Sequence, residues 1–161
     1  FTAMHEVIKE FNGHILNYIG DSIMVVFGAP EKLKNHENQA VKCSLKMKEK
    51  LKELNHKWDE DETSRYWKNH DIESITMRIG IHTGSVIAGN LGSQEMLQYS
   101  TIGDTVNVAS RLEQSNKDFS TTILFSHEIY SSLTKDLYDK ANYQGEISLK
   151  GRDQKTKVYD I

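Results

Sequence analysis

The stretch that decides the fold comprises residues 99–111, which are Tyr-Ser-Thr-Ile-Gly-Asp-Thr-Val-Asn-Val-Ala-Ser-Arg. The pattern predicts a short polar strand that ends at Gly103, followed by a helix with Asp104 as its N-cap. Asn107 and Arg111 stand four residues apart, so the helix places both side chains on one face. From spacing alone two interpretations stay open: Asn107 completes the cap and Arg111 is a solvated charge, or both side chains belong to a site.

The bulk composition bounds the class of protein. The chain has 161 residues, enough for a single domain with a core of its own. Its 20 Lys and Arg stand against 23 Asp and Glu, and the net charge of −3 argues against a nucleic-acid partner. No stretch is apolar for the roughly 18 residues that a membrane-spanning helix needs. The single cysteine, Cys43, cannot form an internal disulfide and suits a reducing compartment.

The N-terminal half predicts a helix, a hairpin and a second helix. Residues 1–11 have the apolar spacing of an amphipathic helix, and Phe1 already falls inside that period, so the chain is expected to begin within a helix. Residues 14–28 are typical of a β-hairpin with a tight polar turn. A long helix is expected from Lys34 to Trp58, with Cys43 on its apolar stripe as a core residue rather than a nucleophile.

Two polar residues of the hairpin leave alternatives open. Asp21 is either an ordinary turn residue that bonds its own backbone or a rigidly held carboxylate for a hard cation. Asn17 lies between Ile15 and Ile19 by period-two alternation, and it needs a hydrogen-bond partner if it is buried.

Residues 75–83 alternate as a strand with one face in the core. Arg78 stands in the middle of its polar face, where it points either to solvent or into a cleft. The remaining predicted elements are strands over 85–92, 94–101 and 122–125, a helix capped by Ser126, and closing strands over 141–149 and 156–161. Lys150, which precedes a glycine, is either a loop solubiliser or a phosphate contact.

Four segments together resemble the class III nucleotidyl cyclases, the family of adenylate and guanylate cyclase catalytic domains. They occur in the family's order and spacing, and the resemblance covers essentially the whole chain. The segments are Tyr18-Ile-Gly-Asp-Ser-Ile-Met-Val-Val-Phe-Gly-Ala-Pro30, Met77-Arg-Ile-Gly-Ile-His-Thr-Gly84, Ile102-Gly-Asp-Thr-Val-Asn-Val-Ala-Ser-Arg111 and Leu149-Lys-Gly-Arg152.

The resemblance implies an α+β fold built on a ferredoxin-like sheet, with one domain over residues 1–161. Helices are expected on one face of the sheet, while the other face lines a dimer cleft. The family's first strand, a central one, has no counterpart in this sequence, so the domain is expected to be truncated within its first helix.

The implied activity is the cyclisation of a nucleoside triphosphate for intracellular signalling. The 3′-hydroxyl attacks the α-phosphorus and pyrophosphate leaves, a displacement that uses two Mg²⁺ or Mn²⁺ ions. The family's sites lie between two head-to-tail copies, so a homodimer with two symmetric sites is expected. An upstream regulatory domain and a cytoplasmic location are expected for the full protein, and a membrane tether elsewhere in it is left open.

The resemblance also assigns roles to individual residues. Asp21 resembles one of two metal-binding carboxylates, and Arg78 resembles a phosphate contact on the same chain. Asn107 resembles the residue that orients the ribose, Arg111 the one that stabilises transition-state charge, and Lys150 the clamp on the triphosphate. In the head-to-tail arrangement the first two come from one chain and the last three from the other.

The sequence departs from the family pattern in its metal ligands and in its base-reading pair. The second metal carboxylate belongs to the absent strand, so the 161 residues are expected to be catalytically inactive or nearly so, although the parent protein can be active. Asn17 and Ser100 stand at the base-reading positions, where adenylate cyclases typically carry Lys with Asp or Thr, and guanylate cyclases carry Glu with Cys. Ser100 is closest to Thr, which favours ATP over GTP.

A silent nucleotide-binding or dimerisation module that regulates a partner remains the alternative function. The presence of Arg78, Asn107, Arg111 and Lys150 together favours the enzyme, because a silent module has little need of all four.

Overall fold

A computed structural model describes residues 1–148 and 155–161. The helices are α1 Thr2–Glu10, α2 His36–Glu60, α3 Arg65–Lys68, α4 Asp104–Phe119, α5 His127–Tyr130 and α6 Lys135–Tyr138. The strands are β1 His14–Ile19, β2 Ser22–Val26, β3 Ile79–Ile81, β4 Ile87–Gly92, β5 Leu97–Ile102, β6 Ile123–Ser126, β7 Asn142–Ile147 and β8 Thr156–Asp160. None of these described helices combines the length and apolar character needed to cross a bilayer.

The strands form one four-stranded sheet and two separate hairpins. The sheet has the order β3-β6-β8-β7, in which β3 runs parallel to β6 and the other neighbours are antiparallel. The pair β1-β2 is the antiparallel hairpin predicted over residues 14–28. The strands β4 and β5, which the sequence predicts without their pairing, form a second antiparallel hairpin. This mixture of helices and mixed sheets is the expected α+β class. A further central strand that completes the ferredoxin-like sheet stays a prediction.

Helices cover both faces of the four-stranded sheet. One face packs against α2, α5 and α6 through a core that includes Val41, Ile81 and Phe125. The other face packs against α4, whose Val108 and Leu112 are fully buried on Leu124 and Val158. The expectation of helices on one face only is therefore wrong. The reason is seen in β6. All four of its residues are buried, which is typical of a strand covered on both sides.

A smaller core joins the first hairpin to α1 and α2. Val7, Ile8 and Cys43 are buried there, with hairpin side chains packed around them. Burial raises the pKa of the Cys43 thiol to about 12, and the nearby Glu10 carboxylate adds to the increase. Only the thiolate is a nucleophile, so the raised pKa argues against a nucleophilic role. The burial of Cys43 confirms its interpretation as a core residue.

Several predicted boundaries differ from the structure. The strand predicted over 75–83 is limited to Ile79–Ile81, because β6 offers pairing partners to these three residues alone. Further upstream, the backbone of Ile75 pairs with the side-chain amide of Asn55, which both donates to its carbonyl at 2.9 Å and accepts from its N–H at 3.0 Å. The helix predicted after Ser126 is divided into the short helices α5 and α6.

The prediction of Asp104 as an N-cap is wrong by one residue. Gly103 is the N-cap of α4, and Asp104 is the first helical residue. A carboxylate in the first turn still interacts favourably with the positive end of the helix dipole. The side chain that ties this end of α4 to the fold is Thr105, whose hydroxyl donates to the carbonyl of Ser85 at 2.9 Å.

Candidate active site

Helix α4 carries two of the predicted site residues on one side. Asn107 is exposed and Arg111 is partly buried, one turn further along the helix. Val108 and Leu112, which are fully buried, hold the other side of the helix on the sheet. The helix is therefore anchored through its apolar stripe, and Asn107 is left accessible to a ligand.

Strand β3 and helix α4 pack in direct backbone contact. Gly80 faces the helix, and a Cβ atom at this position would overlap the backbone oxygen of Ala109 and the backbone nitrogen of Glu113. Asn116, which is 1% exposed, donates from its amide to the carbonyl of Ile79 at 3.0 Å. The strand and the helix thus approach at backbone distance and are joined by a buried hydrogen bond.

Arg78, the residue before β3, contacts α4 through an ion pair. Its Nε donates to Oε1 of Glu113 at 2.8 Å, and the two side chains are 42% and 35% exposed. The structure therefore brings Arg78 to the same helix that carries Asn107 and Arg111. The side chain nevertheless remains 42% exposed, so the ion pair does not decide between solvent and a cleft for Arg78.

Arg78 and Arg111 lie on different sides of α4. An α-helix turns about 100° per residue, so Glu113, two residues after Arg111, projects from nearly the opposite side. The Arg78–Glu113 pair and the Asn107–Arg111 face are consequently directed away from each other within one chain.

Asp21 stands at the exposed tip of the first hairpin. The turn consists of Gly20 and Asp21, and Gly20 takes a positive φ of 61°, which glycine adopts without strain. Within residues 1–148 and 155–161, no three His, Cys, Asp or Glu side chains are grouped closely enough to hold a metal ion. One carboxylate is too small a ligand set for two divalent ions, so the described residues alone do not fit a two-metal site.

The two base-reading candidates lie on neighbouring strands. Asn17 is exposed on β1, after a bulge that breaks the alternation predicted for this strand. Ser100 is partly buried on β5, opposite Gly89 of β4. The strands are linked close to both residues, because the Gln98 amide donates to the carbonyl of Leu16 at 3.0 Å.

Lys150, the predicted triphosphate clamp, and the segment 149–152 around it lie outside the described residues.

Sequence reasoning missed Glu113 and Asn116. Asn116 follows Val108 and Leu112 at steps of four, so an amide on an apolar helical stripe was the signal for a buried polar contact. Glu113 has no such signal, because its partner Arg78 is 35 residues away along the chain.

Known proteins resemble this chain along its whole length. The family model described as "Adenylate and Guanylate cyclase catalytic domain" matches residues 1–161. Adenylate cyclase 1 of Rhizobium meliloti is 34% identical over 161 residues, which are 100% of this chain and 23% of that protein. The chain thus spans about a quarter of the length of this curated relative.

Two solved structures show the same fold. The guanylyl cyclase Cya2 has a TM-score of 0.78 and 28% identity, and the match covers 99% of this chain and 75% of that one. The guanylate cyclase domain of RhGC from Catenaria anguillulae, solved in complex with GTP, has a TM-score of 0.73 and 27% identity, with coverage of 98% and 76%. The similar proteins thus carry the names of both adenylate and guanylate cyclases.

Proposed function

This chain belongs to the family of adenylate and guanylate cyclase catalytic domains, and on that premise we propose a specific reaction for the protein that contains it. The protein converts a nucleoside triphosphate, ATP in preference to GTP, into a 3′,5′-cyclic nucleotide and pyrophosphate for intracellular signalling. The bond from the 3′-oxygen to the α-phosphorus forms as the bond from that phosphorus to the pyrophosphate oxygen breaks, and the proton of the 3′-hydroxyl is released.

Each site residue contributes a binding or electrostatic effect. Asn107 orients the ribose so that its 3′-oxygen lies in line with the leaving group. Arg111 donates to the oxygens on which negative charge develops, which lowers the barrier because the interaction strengthens in the transition state. Arg78 and Lys150 bind the triphosphate. Asn17 and Ser100 contact the base by hydrogen bonds.

The observation that supports the two-chain site is the contact between Arg78, which precedes β3, and Glu113 of α4. Glu113 projects from nearly the opposite side of the helix to Arg111, so one chain directs its phosphate ligand and its ribose ligand away from each other. Two head-to-tail copies would bring Arg78 of one chain to Asn107 and Arg111 of the other. We therefore propose a homodimer with two equivalent sites.

The metal requirement, the upstream regulatory domain and the cytoplasmic location belong to the same proposal. Two Mg²⁺ or Mn²⁺ ions supply charge neutralisation when the site is complete, and Asp21 is this chain's candidate ligand for them. The support for a reducing compartment is the lone, buried Cys43.

The reaction is tested by measuring both cyclic products from the whole protein with Mg²⁺ or Mn²⁺. We expect cyclic AMP to form faster than cyclic GMP at equal ATP and GTP, because the Ser100 hydroxyl resembles the Thr of adenylate cyclases. Asn17→Glu should shift the preference towards GTP, since a carboxylate accepts hydrogen bonds from the donor edge of guanine. A GTP rate equal to the ATP rate in the unaltered protein would contradict the preference. Binding of nucleotide with no cyclic product would favour the silent module.

A second experiment compares the 161 residues alone with the whole protein that contains them. We expect the 161 residues alone to be at least about a hundredfold slower, because Asp21 cannot hold two divalent ions by itself. Rates per site are measured with Mn²⁺ at saturating ATP, with sedimentation to compare dimer content. Equal rates would show that these residues suffice for catalysis.

A further inference from the structure

We propose that Glu113 is a positioning residue for Arg78 and thereby for the triphosphate of the nucleotide. This inference rests on the phosphate role proposed for Arg78. It adds a residue of α4 that does not itself contact the nucleotide but determines where the guanidinium points.

The geometry of the ion pair leaves the guanidinium available. Glu113 Oε1 accepts from Nε of Arg78 at 2.8 Å, and Nε carries a single N–H. The two terminal amino groups, Nη1 and Nη2, therefore keep their N–H donors for another ligand. A planar guanidinium binds phosphate oxygens through these paired donors. The carboxylate thus binds Nε and leaves the two terminal amino groups of Arg78 available for phosphate oxygens.

The carboxylate is itself held in place by the backbone of α4. The backbone nitrogen of Glu113 lies directly over Gly80, two residues after Arg78. Asn116 ties the next turn of the helix to Ile79 through its amide at 3.0 Å, and the Thr121 hydroxyl donates to Oδ1 of the same amide at 2.8 Å. Glu113 therefore has a defined register opposite Arg78. A long side chain ordered before the ligand arrives costs less conformational entropy when the ligand binds.

A role in stability is not expected for this pair. Arg78 and Glu113 are 42% and 35% exposed, and ion pairs at this exposure contribute little to the free energy of unfolding. Nor is the charge of Glu113 useful to a phosphate, which it repels. The remaining contribution of Glu113 is to orient the guanidinium of Arg78. Glu113→Gln keeps an acceptor for Nε and Glu113→Ala does not, so the two variants should behave differently.

The test uses steady-state kinetics of the whole protein with ATP. Glu113→Ala should lower kcat/KM by about 10- to 100-fold, because misplacing a catalytic contact by about 1 Å costs up to about a hundredfold. Glu113→Gln should lose less, since its amide oxygen still accepts from Nε. In the Arg78→Ala background, Glu113→Ala should cause no further loss. The melting temperature should stay within a few degrees of the unaltered protein.

The matched control is Glu53→Gln, which removes another exposed glutamate paired with a lysine, Lys50, at 2.9 Å on α2. It should leave kcat/KM unchanged. Calorimetric titration of each variant with ATP and with adenosine, without Mg²⁺ or Mn²⁺ so that ATP is not converted, provides a readout independent of turnover. Glu113→Ala should weaken binding of ATP and leave binding of adenosine unchanged.

Three results would overturn the positioning role, and a fourth would overturn the proposed function on which it rests. Unchanged or tighter ATP binding in Glu113→Ala would mean that the carboxylate only repels the phosphates, and additive losses in the double variant would mean that it acts apart from Arg78. If Arg78→Ala itself binds and converts ATP normally, the phosphate role of Arg78 fails, which is a failure of the proposed function. If Arg78→Ala loses activity but Glu113→Ala does not, only the positioning role fails.

Discussion

Arg111→Ala should lower the rate of nucleotide cyclisation by the whole protein by about a thousandfold, with the fold unchanged. Removing one preorganised donor from a transition state typically costs 10²- to 10³-fold in kcat, and a tenfold loss corresponds to about 1.4 kcal/mol. Arg111 is partly buried on a helix anchored by Val108 and Leu112, so its guanidinium is presented from a rigid support. The measurement is kcat at saturating ATP, which separates the chemical step from binding.

Lys117→Ala is the matched control for Arg111→Ala. Lys117 is an exposed cation of the same helix, near its C-terminus, and its removal should leave kcat unchanged. Arg111→Lys should remain strongly impaired, because an ammonium cannot reproduce the planar fork of a guanidinium. A kcat of Arg111→Ala within threefold of the unaltered protein would exclude the proposed role.

Gly80→Ala should lower the free energy of unfolding by about 3 kcal/mol, at the upper end of what overpacking a core costs. The added Cβ would overlap the backbone of α4 at Ala109 and Glu113, and backbone atoms cannot move aside as a flexible side chain can. Strand and helix must therefore separate, which exposes the layer formed by Val108 and Leu112 on Leu124 and Val158. For a chain of this length the loss corresponds to a decrease in melting temperature of roughly 6–12 °C.

Gly89→Ala provides the comparison for Gly80→Ala. Gly89 is also a strand glycine, but a Cβ at this position meets no atom within 4 Å. Its substitution should leave the urea midpoint unchanged or raise it slightly, because alanine has fewer unfolded conformations to lose. Similar midpoints for the two variants would show that β3 and α4 tolerate a wider separation.

The elements that could be predicted are those governed by local chemistry. The first hairpin follows from β-branched and aromatic residues around a short turn, and α4 follows from the capping signal at Gly103 and Asp104. Family membership follows in the same way, because its motifs are continuous segments of sequence. The predicted N-cap of α4, Asp104, lies one residue after the observed N-cap, Gly103, since Asp and Gly both suit such a position.

The length of β3 could not be predicted from its alternation. The apolar period continues back to Ile75, but a strand exists only where a neighbouring strand offers hydrogen bonds, and β6 does so for three residues. The helix α4 on the second face of the sheet could not be predicted either, because it also depends on which elements meet in the fold. Gly80, His82 and Arg78 form a polar face in the sequence, and the structure covers Gly80 with α4 because a glycine admits close backbone approach.

By itself, the sequence determined the family, the order of most elements and a set of candidate site residues, because periodicity, turn chemistry and short motifs depend on residues close together in the chain. The tertiary structure alone decided that α4 packs on β3, that Glu113 holds Arg78, and that Arg78 and Arg111 lie on different sides of one helix. These features join residues about 30 positions apart. No local pattern encodes them, because they depend on how strand and helix register when their backbones meet.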